Sequence, residues 1–329
     1  MICRTDVPPL GTLRIASPED ASRISVVATA AFRYSPLFAW ERPNHEQYPE
    51  DTIASYHTQF LHQIQSDDHV VLVQEDAYMQ DENREIASIV PDNTGWTAPK
   101  AGDQVIVAVI SIKLEPGSTC KGVLKSKNGK EVAFKRISSI TFWATLRPQQ
   151  LHILSHFLTI MRFPGSYLTA PQSLGRDLNR RHYDDWGTIS AAARKKNKVH
   201  NDSIISMIVV HPAYWRRGHG TRLATWARDL SIKTKAPQCV SAAPMSQRLL
   251  MSLGYKRIDV IVAEGDEDDP RGVQTLLLRF GRENRGGLDG RQLLRWILMF
   301  ARATFSKVVE LTKRTLGRMR TQGNDKGAW

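Results

Sequence analysis

The stretch from Ile204 to Thr221 constrains the fold of this chain more than any other segment. It begins with the apolar, β-branched run Ile-Ile-Ser-Met-Ile-Val-Val, which is typical of a strand buried on both faces. Pro212 ends the run, and a segment with apolar residues at helical spacing follows two glycines. These apolar residues are Leu223, Ala224, Trp226, Ala227 and Leu230. We therefore predict a strand, a tight turn and a helix in immediate succession.

The turn between this strand and helix has the composition of an anion site. Gly218 and Gly220 stand where the helix begins, and without a Cβ they let a phosphate approach the main chain. The helix N-terminus supplies unpaired amides and about half a positive charge. Arg216 and Arg217 add two full charges beside it. The pattern indicates a phosphate-binding loop, whereas the glycines alone are equally compatible with an ordinary turn.

The same residues resemble a known family. The series His-Pro-x-Tyr-x-x-Arg-Gly-x-Gly-Thr-x-Leu is similar to the acetyl-CoA loop of the GNAT acetyltransferase superfamily, usually Gln/Arg-x-x-Gly-x-Gly/Ala. Trp215 departs from the pattern at the Gln/Arg position, and the segment that ends at Tyr255 resembles the family's Leu-Gly-Phe. The resemblance implies acetyl-CoA as co-substrate, and a bulged strand that splays from its neighbour. The residues it assigns to the co-substrate are Ile208, Val209, Val210, Arg216, Arg217, Gly218, His219, Gly220 and Thr221.

The surrounding patterns predict an α/β fold. The resemblance covers about residues 11–281 and implies the GNAT fold: a central mixed, twisted β-sheet flanked by helices. We predict strands at 11–17, 69–74, 104–114, 204–210, 238–243, 256–263 and 273–280, and helices at 18–32, 48–65 and 245–253, besides the helix after Gly220. We assign residues 1–285 to one acetyltransferase domain.

Residues 116–201 stand where the family needs only a short connection, and a loop of that length without structure is unusual. We predict a helix at 149–163 and a Lys-rich loop at 118–135, and interpret the whole as a helical insertion that caps the substrate. An elaboration without a role in chemistry is the alternative. The aromatic residues of this segment, Trp143, Tyr167, Tyr183 and Trp186, suit a bulky acceptor.

The C-terminal segment carries much of the positive charge. The chain has a formal net charge of +12, and residues 281–329 hold eleven Lys or Arg against four Asp or Glu, a net +7. We predict a basic amphipathic helix in 286–329 that either packs on the domain or lies on an anionic membrane through 291–320. No nucleic-acid motif accompanies the charge, so no nucleic-acid partner is expected.

The three cysteines, Cys3, Cys120 and Cys239, have neither a metal-binding nor a disulfide spacing, so no metal is expected. The first residues lack the apolar region of a signal peptide. These features predict a reducing, cytoplasmic location; the oligomeric state stays open.

The resemblance implies direct attack of an acceptor on the thioester, and an amine must first lose its proton. Many members carry a Glu on the signature strand; here the candidate bases are Asp202 at its start and His182 in the insertion. Members often protonate the departing CoA thiolate with a Tyr at the position where this chain has Leu250. The remaining candidate proton donors are solvent, Ser241 and Ser246.

The sequence thus predicts an acetyl-CoA-dependent acetyltransferase that acts on an amine or hydroxyl of a small molecule. The alternative is a GNAT-fold protein without acetyl transfer, which binds CoA or serves other small-molecule chemistry and contacts a membrane through its C-terminal helix.

Overall fold

The computed structural model describes residues 7–84, 86–92, 94, 96–125 and 175–281. The strands are β1 (Leu13–Ile15), β2 (His69–Ala77), β3 (Gln104–Lys113), β4 (Ser203–Val210), β5 (Gln238–Ala242), β6 (Lys256–Ala263) and β7 (Val273–Phe280). The helices are α1 (Ala21–Phe32), α2 (Pro36–Glu41), α3 (Pro49–Gln65), α4 (Arg180–Lys196), α5 (His219–Thr234) and α6 (Pro244–Ser252), with short 3-10 turns at Pro18–Asp20 and Pro212–Tyr214. Each predicted strand lies at its predicted place, and β6 and β7 have the predicted bounds.

The seven strands form one mixed sheet in the order β1-β2-β3-β4-β5-β7-β6. Every neighbouring pair is antiparallel except β4 and β5, which run parallel. The parallel pair has the intervening helix α5 as its crossover, as parallel connections require. The predicted α/β fold with a central mixed sheet is therefore confirmed.

Helices cover both faces of the sheet. On one face, α5 and α6 bury the apolar positions predicted from helical spacing, and Leu223, Ala227 and Leu250 are fully enclosed. On the other face, α1 and α3 pack against β2, β3 and β4. Beside them, α2 and α4 cover β5, β6 and β7, with Trp40 and Trp186 in the shared core. The central strands are therefore buried on both faces, which explains their continuous apolar runs.

Two helices were not predicted. The short helix α2 follows Ser35 and begins at Pro36, the proline position typical of a helix start. The helix α4 begins after Asn179, whose side-chain oxygen accepts a hydrogen bond from the amide of His182. Charged residues dominate the outer face of α4 and hide the spacing of its buried positions from a sequence reading.

The insertion and the C-terminal segment are only partly visible. Residues 116–125 and 175–201 of the insertion are described, and α4 shows that it contains a helix. The helix predicted at 149–163, most of the loop predicted at 118–135 and the helix predicted in 286–329 lie outside the described residues. Within the described ranges, every helix is too short or too polar to cross a bilayer.

Candidate functional site

The central feature of the site is an opening between β4 and β5. The two strands pair only at Ser203 with Gln238 and at Ile204 with Cys239. Beyond that rung β4 continues to Val210 while pairing only with β3. The β5-facing edge of β4 is therefore left with unpaired backbone groups, although β4 is the middle strand of the sheet. Such an edge can bind an extended ligand through main-chain hydrogen bonds.

A β-bulge marks the start of this opening. In the β3–β4 register Ile112 faces Ile205 and Ser111 faces Met207, so Ser206 is the extra residue. Ser206 is exposed despite its place in a central strand. A bulge bends its strand and disrupts the ladder locally, which accounts for the divergence of β4 from β5. The bulge and the splay that the resemblance implied are both present.

The loop after β4 ends in a helix N-terminus. Gly218 precedes α5 in the left-handed conformation with φ of 84°, and Arg216 also has a positive φ of 67°. The first hydrogen bond of the helix runs from the amide of Arg222 to the carbonyl of Gly218. The amides of His219, Gly220 and Thr221 therefore precede any helical acceptor, and they are the groups available to an anion. The structure thus brings the predicted loop residues together at the N-terminus of α5.

Buried contacts hold the turn before this loop. Tyr214 is fully buried; its hydroxyl donates to Glu82 Oε2 at 2.9 Å and accepts from the Met79 amide at 3.0 Å. Glu82 is in turn paired with the buried guanidinium of Arg23. The side chain of His211 caps the turn by accepting from the Ala213 amide. The turn is therefore fixed by contacts between Tyr214 of the motif and Met79 and Glu82 outside it.

Two side chains of the loop, Arg217 and His219, contact the same carboxylate on β2. Arg217 lies 3.2 Å from Asp76 on β2, and His219 Nε2 lies 3.0 Å from the same carboxylate. Burial raises the pKa of Asp76, but hydrogen bonds from the Ala77 amide, Arg217 and His219 outweigh it and bring it below its usual value. The buried imidazole of His219 thus anchors α5 to β2, which leaves its amide as the group that can face a ligand.

Trp215, the departure from the family pattern, lies at the mouth of the loop. Its indole Nε1 donates to the carbonyl of Val210 at 2.7 Å, and its ring meets Tyr34 edge-on at 5.0 Å. The hydrogen bond ties the loop to the end of β4, and both rings are exposed. Trp215 therefore contributes its side chain to the loop's shape.

On the other face of the sheet, α2 packs at the last paired rung of β4 and β5. Leu37 and Trp40 of α2 pack in the same apolar cluster as Ile204 and Cys239, the last paired rung. Because side chains alternate along a strand, Ser241 lies on the same face as Cys239, and it is partly exposed. This face, which carries α2, α4 and the β6–β7 loop, is called the α2 face below.

Glu41, at the C-terminus of α2, is a candidate base that the sequence analysis missed. Its carboxyl is partly buried and makes no hydrogen bond or ion pair with another described residue. Burial raises its pKa to about 7, although the charges of Arg42 and His182 act in the other direction. A carboxyl that is unpaired and titrates near neutrality is suited to general-base chemistry. No sequence motif surrounds Glu41. Only a prediction of helix α2 could have drawn attention to it.

Asp202, the first candidate base, forms a buried ion pair with Arg279. Its two carboxylate oxygens accept hydrogen bonds from Nε and Nη2 of Arg279 on β7, at 2.7 and 3.2 Å. Both side chains are largely buried. Burial raises the pKa of Asp202, while Arg279 opposes that shift. Asp202 precedes β4, at the end opposite the glycine loop. The structure therefore gives this candidate base a partner and places it away from the separated part of β4.

His182 is buried rather than open to an acceptor. Its Nδ1 lies 2.6 Å from the carbonyl of Trp40 and its Nε2 lies 2.9 Å from Asp266. With both ring nitrogens engaged, the imidazole has no free nitrogen to accept a proton, and the structure favours Glu41 over His182 as a base.

The contacts of the candidates for thiolate protonation differ. Leu250 is fully buried, and Tyr255 is buried with its hydroxyl bonded to Gln238, so neither can serve. Ser246 donates to the carbonyl of Ala243 at 3.0 Å. Ser241 makes no such hydrogen bond among the described residues and lies beside the opening.

No family model matches the chain. A curated protein of Stachybotrys chartarum named acetyltransferase is 24% identical over 267 residues, which cover 80% of this chain and 88% of that protein.

Two solved structures are also similar. A Drosophila melanogaster polyamine N-acetyltransferase is 10% identical with a TM-score of 0.42, over 82% of this chain and 99% of its own. A Salmonella typhimurium protein solved with its cofactor acetyl-CoA is 12% identical with a TM-score of 0.37, over 84% of this chain and 97% of its own.

The sequence motif implied a bulged, splayed strand followed by a glycine loop at a helix N-terminus, and the structure has each of these in a sheet of the implied kind. The chain therefore has the fold features that the resemblance to the GNAT superfamily implies, and over four fifths of its length it is similar to a curated acetyltransferase.

Proposed function

We propose that this protein is an acetyl-CoA-dependent acetyltransferase that transfers the acetyl group directly to an amine of a small molecule. The observation that carries the proposal is the continuity of two backbone sites. The unpaired edge of β4 leads directly into the amides of His219, Gly220 and Thr221. An extended ligand that ends in a diphosphate matches both sites at once, and coenzyme A is such a ligand.

The residues present fit this co-substrate. A Cβ at Gly218 would meet only Arg222 Nη2, at 4.0 Å, so the space in front of the loop is open. The exposed guanidinium groups of Arg216 and Arg222 flank that space. We assign the diphosphate to the amides of 217–221 and the pantetheine arm to the main chain of Ile208, Val209 and Val210. The bound thioester supplies the activated acetyl group.

On the α2 face, the acceptor must be deprotonated before it attacks. An amine with a pKa of about 10.4 is neutral at pH 7 about once in 2,500 molecules, a handicap of about 4.6 kcal/mol. We propose that Glu41 takes this proton, directly or through one water. The nitrogen then attacks the thioester carbon and the carbon–sulfur bond breaks. The proton that the new amide nitrogen loses passes to the leaving thiolate through Ser241 or solvent.

The curated acetyltransferase of similar length supports the reaction class, and a carboxyl with a pKa of about 7 can accept the acceptor's proton near neutral pH. The partly exposed Tyr183 on α4 is one of the aromatic residues that suit a partly apolar amine.

The test is an acceptor screen with the full-length protein, acetyl-CoA and a panel of alkyl, arylalkyl and polycationic amines. Thiol release is followed by absorbance, and the acetylated product by mass spectrometry. The proposal predicts thiol release that depends on one class of amine, with product mass raised by one acetyl group. Binding of acetyl-CoA without acceptor-dependent thiol release would contradict it.

That contradictory outcome would favour the second candidate, a CoA-binding GNAT-fold protein without acetyl transfer. The observation that supports this second candidate is Leu250, which is buried and apolar at the position where the resemblance implies a tyrosine hydroxyl.

A further inference from the structure

The buried imidazole of His182 joins three elements of the α2 face. Its ring stacks on the indole of Trp40, with centroids 4.1 Å apart and planes within 1°. Its Nδ1 lies 2.6 Å from the carbonyl of Trp40 on α2, and its Nε2 lies 2.9 Å from Asp266 Oδ2 in the β6–β7 loop. Since His182 itself belongs to α4, one side chain connects all three.

The two partners of the ring accept hydrogen bonds and cannot donate them. A backbone carbonyl has no hydrogen to give, and the pKa of Asp266 is lowered to about 2, chiefly by the amide of Asp269 and by His182 itself, so its side chain is a carboxylate. Both contacts are therefore satisfied together only when each ring nitrogen carries a hydrogen. The contacts define His182 as an imidazolium, and the neutral ring would set a lone pair against one of the two oxygens.

Asp266 also organises the loop it belongs to. Its other carboxylate oxygen, Oδ1, accepts hydrogen bonds from the amides of Asp268 and Asp269, each at 3.0 Å. A second tie comes from Asn179, whose amide nitrogen donates to Asp268 Oδ2 at 3.2 Å. The backbone amide of Asn179 in turn donates to the carbonyl of Glu41 at 2.8 Å. The loop, the start of α4 and the end of α2 therefore form one hydrogen-bonded corner.

This corner includes the residue to which we assign the acceptor's proton. Building on the function proposed above, we propose that His182 is a positioning residue: as an imidazolium it fastens the β6–β7 loop to α2 and α4 beside Glu41, and loss of its proton releases the loop and weakens acceptor binding. The proton transfer concerns only the imidazolium and water, so no other co-reactant is needed.

The charged groups around the ring set the direction of its response to pH. Asp266 and Asp268 face it from the β6–β7 loop and Glu41 from α2, while Arg181 of α4 lies 3.6 Å from Asp266. Burial lowers the pKa of His182, but the contacts with Trp40 and Asp266 outweigh it and raise the pKa above its usual value. Because the folded pKa is raised, the fastening is complete at low pH and is lost as pH rises through that value.

The test compares wild type with His182→Gln, which keeps a polar side chain that carries no charge at any pH. The matched control is Glu267→Gln, an exposed residue of the same loop that loses one charge. Hydrogen exchange of residues 264–272 is measured across pH and corrected for base catalysis. The proton shift of the His182 ring is followed by NMR in the same range.

In wild type, protection of 264–272 should fall as the His182 resonance titrates, whereas His182→Gln should lack protection at every pH and Glu267→Gln should follow wild type. The acceptor KM should rise about five- to tenfold through the same transition, with a smaller change in kcat. His182→Gln should show the high KM throughout.

Equal loop protection in wild type and His182→Gln across the pH range would overturn the proposal, as would an NMR shift showing a neutral ring at pH 6. Neither readout requires turnover. If no acceptor is found, the proposed function fails while hydrogen exchange and NMR still decide whether His182 fastens the loop.

Discussion

The two sides of the β4–β5 opening are built in different ways. On the side of α5, the proposed anion site consists of main-chain amides from the consecutive residues 217–221. On the α2 face, the proposed acceptor site consists of side chains from segments far apart in sequence: Glu41 on α2, His182 on α4 and Asp266 in the β6–β7 loop. The first is a local property of the chain, and the second exists only once the sheet has brought its covering elements together.

This difference predicts how each side responds to substitution. A backbone site is sensitive to a Cβ or to a negative charge and tolerant of most side-chain changes. A side-chain site depends on protonation and therefore on pH. The predictions below use that contrast, from the largest expected effect to the smallest.

The largest effect is expected for Glu41→Gln. Removal of a general base should lower kcat/KM about 10²- to 10⁴-fold without changing the Kd for acetyl-CoA. Wild type should lose activity below about pH 7, where the carboxyl gains its proton, and the variant should lack that limb of the pH profile. Steady-state kinetics from pH 6 to 9 measures both.

The control for this variant is Glu46→Gln, an exposed residue paired with Arg33. Stability provides a second readout. The folded pKa of Glu41 is raised, so its contribution to stability is present at low pH and is lost as pH rises through about 7. Glu41→Gln should therefore not lower the melting temperature at pH 8. A variant with full activity, or one that simply unfolds, would contradict the account.

A large effect on stability alone is expected for Asp202→Asn. The substitution leaves the buried guanidinium of Arg279 without its partner and should cost about 3 kcal/mol of unfolding free energy. Asp184→Asn is the control, because its pair with Arg180 is exposed and should be worth about 0.5 kcal/mol. Chemical denaturation measures both. A loss of kcat in a folded Asp202→Asn protein would restore Asp202 as the base.

A smaller effect is expected for Gly218→Ala. Gly218 has φ of 84°, a conformation that costs a residue with a Cβ about 1 kcal/mol. The variant should lose about that much stability and bind acetyl-CoA more weakly. The control is Gly187→Ala in the middle of α4, where a Cβ meets nothing within 4 Å and should stabilise the helix. Unchanged stability of Gly218→Ala would show that the loop does not depend on the left-handed residue.

The same contrast explains what the sequence could and could not predict. The strand Ser203–Val210, the loop and α5 were predictable because apolar periodicity, proline and glycine act within one segment. The resemblance added the bulge and the splay. Glu41 could not be found in this way, since its raised pKa results from burial by distant segments.

The two bases chosen from sequence show the same limit. Asp202 and His182 were polar residues near the motif in sequence, and each has a partner that only the tertiary structure supplies, Arg279 and Asp266. The helix α4 could not be predicted from apolar spacing because exposed charged residues separate its buried positions, such as Trp186. The role of the insertion beyond α4 and the C-terminal amphipathic helix stay predictions.

The central claim is that the loop after β4 holds the diphosphate of acetyl-CoA on its main-chain amides. The direct measurement is calorimetric titration of acetyl-CoA into full-length wild type, Gly218→Asp and the control Gly187→Asp. A Cβ at 218 meets only Arg222 Nη2, at 4.0 Å, so a carboxylate there would lie in the open space in front of the loop. It should weaken binding about 100-fold, roughly 2.7 kcal/mol, while Gly187→Asp binds like wild type. Equal affinities for all three folded proteins, or no binding by wild type, would contradict the account.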